Sequence, residues 1–127
     1  MARILVVDDD VPILNLVSGL LRKRGHAVIA VESATEALAT LDTRDPPDVL
    51  VSDIAMPTMS GLELVKAVRE RTDLDSMPII FLSARVAPVD IEAGRALGAI
   101  YLTKPFVANA LFTAIDGALT TADASTW

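Results

Sequence analysis

Five short aliphatic runs recur along the chain: Ile4–Val7, Ala27–Val31, Asp48–Ser52, Ile79–Leu82 and Ile100–Thr103. Each is too short for a helix and rich in Val, Ile or Leu, the pattern of a strand buried in a parallel sheet. The stretches between them carry apolar residues at helical spacing. In the first, Asp10 or Val11 stands near the cap and Pro12 in the first turn, where proline is tolerated. Ile13, Leu16, Val17, Leu20 and Leu21 form its inner stripe, Arg22, Lys23 and Arg24 suit its C-terminal dipole, and Gly25 stops it. The second opens at Ser33–Thr35, with Glu36 at the capping-box interval from Ser33, and runs through Leu38 and Leu41 to a break at Asp45-Pro46-Pro47. The third begins at Ser60-Gly61 with Leu62, Leu64, Val65 and Val68 inside; the fourth is Asp90–Leu97, closed by Gly98; the fifth is Ala108–Leu119. Strands alternating with helices in this way predict an α/β protein with a doubly wound parallel sheet. One domain over residues 1–120 is expected, with 121–127 a disordered tail or the start of a linker and Trp127 in it.

Composition narrows the function. At 127 residues the chain is long enough for one real core. No stretch approaches the roughly eighteen apolar residues of a spanning helix, and Ile4–Val7 is far too short for a signal peptide. A soluble cytoplasmic domain with no membrane contact is therefore expected. The absence of Cys removes disulfides, thiolate metal sites and Cys nucleophiles. A net charge of −6 argues against direct nucleic-acid binding by counterion release.

Polar candidates fall at the carboxyl ends of strands: Asp8 and Asp9, Asp53, Ser83 and Lys104. Alone, Asp53 could simply end its strand or cap a turn. With strand order 2-1-3-4-5, however, all of these side chains converge on the crevice outside the strand ends, where open α/β sheets bind ligands. Three crowded carboxylates call for a cation. Oxygen ligands with no Cys and no nearby His suit Mg²⁺, or Mn²⁺ in its place. A carboxylate beside such a metal, a hydroxyl and a fixed ammonium is equipped to attack a phosphoryl group, giving an acyl phosphate. Asp10 reads as a helix cap, His26 as a surface residue, and Met56 and Met59 as packing.

These residues resemble the receiver domain of two-component response regulators, over nearly the whole chain from Arg3 to Leu119. Asp8-Asp9 is similar to the family's acidic pair, Asp53 in Asp-Ile-Ala-Met-Pro to its phosphoacceptor, and Ser83-Ala84 to its switch hydroxyl. Tyr101 resembles the switch aromatic, three residues before the Lys104-Pro105 pair. The resemblance implies a flavodoxin-like three-layer sandwich of order 2-1-3-4-5. It implies that Asp9, Asp53 and the Ala55 carbonyl bind Mg²⁺ directly, that Asp8 acts through water, and that the Lys104–Pro105 bond is cis. It further implies phosphorylation of Asp53 by a histidine kinase or phosphotransfer protein. Ser83 and Tyr101 would carry the change to a downstream protein or output domain, with no catalysis beyond the domain's own phosphorylation and dephosphorylation.

Some positions depart from the family. Only Ala99-Ile100 separate Gly98 from Tyr101, Ala55 offers no polar side chain to orient water, and Arg85 could shield the acyl phosphate or reach it. A haloacid-dehalogenase-type phosphatase using Asp8-x-Asp10 is the enzymatic alternative. It lacks the acidic pair expected after Lys104, where the first acid is Asp116. A receiver-like binding module with an unused site is the other. No Lys or Arg occurs from Val107 to Trp127, so an apolar arc including Phe112 suggests a homodimer or partner contact through the last helix.

Overall fold

The computed structural model describes residues 2–43, 45–74, 76–84 and 87–124. Arg85 and Trp127 lie outside them. Ten elements alternate: β1 (Arg3–Val7), α1 (Val11–Lys23), β2 (Ala27–Val31), α2 (Ala34–Thr43), β3 (Val49–Ser52), α3 (Gly61–Arg69), β4 (Ile79–Ser83), α4 (Pro88–Ala96), β5 (Ile100–Thr103) and α5 (Ala108–Ala124). All strand pairs are parallel, in the order β2-β1-β3-β4-β5. The switch in winding direction falls between β1 and β3, as the sequence predicts.

Alternation along each strand divides the core into two layers. Leu5, Val7, Leu50, Ile79 and Phe81 point to one face with Leu64, Val65 and Val68 of α3 and Leu41 of α2. Ile4, Val6, Val49, Val51, Ile80 and Leu82 point to the other, against Leu14, Val17 and Leu21 of α1 and Leu111, Ile115 and Ala118 of α5. The central strands β3 and β4 are buried at every position. Removing one such side chain, as in Leu50→Ala, costs about 2–5 kcal/mol.

The ends of the helices follow local chemistry. Asp10 caps α1, its carboxylate accepting from the Ile13 amide at 3.3 Å, and Gly25 leaves it at φ 88°. The Ser33 hydroxyl accepts from the Glu36 amide, while the Glu36 carboxylate reaches back to the Glu32 amide. Ser60 and Glu63 make a complete capping box on α3.

Several expectations change. The buried stripe of α1 is Leu14, Val17, Ser18 and Leu21; Leu16 is half exposed and Ile13 and Leu20 lie at the margin. An i, i+3, i+4, i+7 reading from Leu14 satisfies the geometry, whereas one from Ile13 is rotated by a residue. The last helix passes Leu119 and continues to Ala124, because no Gly or Pro stands in that stretch to stop it. His26 is half buried and its Nδ1 accepts from the Ala2 amide at 3.1 Å. Phe112 packs at the edge of the α1/α5 layer under the Arg24 guanidinium, 4.5 Å from its ring centre, and Arg24 also pairs with Asp116 at 3.6 Å. A cation from the C-cap of α1 thus replaces the basic residue that α5 lacks, and Phe112 is not the exposed apolar surface expected of it. Among the described residues, Val89, Ile100 and Val107, on α4, on β5 and just before α5, are the exposed large apolar residues at that end of the fold.

Candidate functional site

Parallel pairing brings the ends of β1 and β3 side by side. The Asp8 amide extends the ladder to the Val31 carbonyl at 3.2 Å, and the Asp53 amide bonds the Val7 carbonyl at 3.0 Å. Asp8 and Asp53 are buried, Asp9 is exposed, and one carboxylate oxygen from each lies within 4.8 Å of the others. Across the crevice, the Lys104 amide bonds the Ser83 carbonyl at 2.9 Å at the end of the β4–β5 pair. The Lys104 ammonium lies 2.8 Å from Asp8 Oδ2 and 3.2 Å from Asp53 Oδ2. The Lys104–Pro105 bond is cis.

Each remaining candidate has a definite place. Ser83 ends β4, buried, one strand over from Asp53. Tyr101 pairs in register with Phe81 and packs, half buried, against the layer beneath α3 and α4. Ala55 is exposed in the loop between β3 and α3. Met56 and Met59 pack against the same layer as Tyr101. Asp10 is turned to its capping role, which takes it out of the acidic cluster.

Burial is the first influence on the charges. It pushes the Asp8 carboxyl above its ordinary range, against the opposing effects of the Lys104 hydrogen bond and the Asp10 amide. Burial alone would lower Lys104, yet its hydrogen bond to Asp8 and the charges of Asp53 and Asp8 outweigh that and raise it. The ammonium therefore stays charged and partly compensates the carboxylates. Among the described residues one ammonium faces three carboxylates, an all-oxygen donor set of net negative charge, and Asp8, Asp9 and Asp53 fit Mg²⁺.

Three further features surround Asp53. The Ile54 amide donates to Asp53 Oδ1 at 2.7 Å. Gly61, at the start of α3, is seated so closely that a Cβ there would overlap the Asp53 carbonyl oxygen. Thr58 has φ 70° in the intervening loop, and the Met59 amide bonds the Pro57 carbonyl across it at 2.8 Å. A polar Ser52 ending a buried strand and a Gly opening a helix were the available signals.

A doubly wound sheet with an acidic pocket and a lysine at its switch point defines a class of domain whose ligand site lies outside the carboxyl ends of its strands. The family model of the response regulator receiver domain matches residues 4–116, and the chain belongs to that family. It is 32% identical to protein PilH of Pseudomonas aeruginosa, over 94% of this chain and 98% of PilH. It is 40% identical to the transcriptional regulatory protein TrcR of Mycobacterium tuberculosis, over 92% of this chain but 45% of TrcR. Chemotaxis protein CheY4 of Vibrio cholerae superposes with a TM-score of 0.87 at 37% identity, covering 94% of this chain and 99% of CheY4. The chain thus spans less than half the length of TrcR, and 26% of the regulatory protein GlrR of Escherichia coli. Among the described residues, no helix is long and apolar enough to cross a membrane.

Proposed function

We propose that this domain is a phosphoacceptor switch in which Asp53 takes a phosphoryl group from a phosphohistidine on a kinase or phosphotransfer protein. The observation that carries the reading is Lys104 Nζ bridging Asp8 and Asp53 beside an acidic cluster. An Asp53 carboxylate oxygen forms the bond to phosphorus. The donor's P–N bond breaks, and its electron pair leaves with the imidazole. Asp8, Asp9, Asp53 and the Ala55 carbonyl would hold Mg²⁺, which when bound offsets charge on the phosphoryl oxygens. Lys104 neutralises a further oxygen and the Ser83 hydroxyl donates to another. The domain turns over no separate substrate.

Phosphorylation then biases a two-state equilibrium, Ser83 moving toward the phosphoryl group and Tyr101 turning inward behind it. The face formed by α4, β5 and the start of α5 reports the change to an output domain or separate protein in the cytoplasm. Val89, Ile100 and Val107 supply its apolar contacts. Self-association through α5 would rest on Val107 rather than Phe112. Incubation with acetyl phosphate and Mg²⁺ followed by intact-mass measurement tests the reading. One added phosphoryl group is expected, lost with EDTA or in Asp53→Asn, and unchanged labelling of that variant would refute it.

A further inference from the structure

Ser52 is fully buried at the end of β3, directly before the phosphoacceptor. A hydroxyl there costs desolvation unless it is paired, and Ser52 pairs forward along the chain: its Oγ donates to the Asp53 carbonyl at 2.8 Å. That carbonyl and the Ile54 amide are the two ends of a single planar peptide unit. The amide end donates to Asp53 Oδ1 at 2.7 Å. Holding the carbonyl end therefore aims the amide end at the carboxylate. The next peptide unit is held as well, its Ile54 carbonyl accepting from the Gly61 amide at 2.8 Å.

We propose that Ser52 is a positioning residue, locking the Asp53–Ile54 peptide plane so that its N–H fixes the rotation of the Asp53 carboxylate. One carboxylate oxygen is then held by the Ile54 amide and the other by Lys104, which leaves the reacting group a single orientation. Without the hydroxyl the plane can turn, the amide leaves Oδ1, and the carboxylate rotates about its Cβ–Cγ bond. Misorientation of a nucleophile by a fraction of an ångström is enough to slow bond formation substantially. The inference rests on Asp53 being the phosphoacceptor, but its structural half does not.

The test uses Ser52→Ala, Ser52→Thr, which keeps the hydroxyl, and Ser18→Ala. Ser18 is a buried hydroxyl on α1 with no hydrogen-bond partner among the described residues, so its variant controls for loss of a buried oxygen. In Ser52→Ala the Ile54 amide proton should shift upfield and exchange about tenfold faster, relative to neighbouring strand amides. Labelling by acetyl phosphate at saturating Mg²⁺ should slow about tenfold per folded molecule. Ser52→Thr should restore both, and Ser18→Ala should move neither. Should the threonine methyl unfold the protein, Ser52→Cys, a weaker donor of similar size, should fall between alanine and wild type. An unchanged Ile54 amide in Ser52→Ala overturns the lock, and an unchanged labelling rate overturns the positioning role. Absence of labelling in the wild type would refute the phosphoacceptor reading instead, and the Ile54 resonance would still decide the lock.

Discussion

Lys104 and a divalent cation compete for the same carboxylate oxygens. With the ammonium 2.8 Å from Asp8 and 3.2 Å from Asp53, part of the pocket's negative charge is already spent when Mg²⁺ arrives. Lys104→Ala should therefore bind Mg²⁺ more tightly, on the order of tenfold or about 1.4 kcal/mol, while phosphorylation slows. The metal-free variant should melt lower, because Asp8 loses its partner, and its melting temperature should rise further on adding Mg²⁺ than that of the wild type. Calorimetric titration checks the first point, and weaker binding by the variant would contradict it. Thr58 is the other informative residue. A β-branched side chain at φ 70°, bridged by the Met59–Pro57 hydrogen bond, sits in a tight three-residue turn of the strained left-handed kind. Thr58→Gly should stabilise the fold by about 0.5–1 kcal/mol, since a residue without a Cβ takes positive φ at no steric cost. A urea midpoint unchanged or lowered would show that the turn stores no strain.

At the scale of elements, α4 is the loosely held one. It buries only Asp90 and Gly94, its N-cap makes no side-chain hydrogen bond, and Val89 is 73% exposed. By contrast α3 buries Gly61, Leu64, Val65 and Val68 and has a full capping box. A helix with so little buried apolar surface opens at low free energy, which suits an element asked to move. Hydrogen exchange should accordingly find α4 amides about tenfold or more faster than those of α3, and equal protection would remove α4 from the switch. Gly94 sets how close this helix lies: a Cβ there would come within 3.2 Å of the Phe81 ring. Gly94→Ala should push α4 outward and loosen it further, read as faster exchange confined to α4 and β5.

Across the whole molecule, the strands were legible because buried parallel strands are shorter than helices and near-continuously apolar, as β3 and β4 are, whereas their order came from the family resemblance. The convergence of Asp8, Asp53 and Lys104 followed from topology alone, since parallel strands put all carboxyl ends on one edge. What escaped depended on distances of a few ångströms or on partners far along the chain. The face of α1 was set one residue off because Ile13, Leu14, Leu16 and Val17 admit two stripes. Phe112 could not be placed without Arg24, which caps the end of another helix. The Asp53–Ile54 peptide orientation is signalled only by a polar Ser52 in a buried strand, and the positive φ of Thr58 leaves no pattern in the residues themselves.

The pocket built by Asp8, Asp9 and Lys104 should make Asp53 the one nucleophile toward a phosphoryl donor. Reductive trapping addresses it most directly. After incubation with acetyl phosphate and Mg²⁺, borohydride converts an aspartyl phosphate to homoserine, which peptide mass spectrometry locates. Homoserine at position 53 alone, dependent on Mg²⁺, is the result expected. Homoserine at position 8 or 9, or none at any position with donor and metal present, would contradict the account.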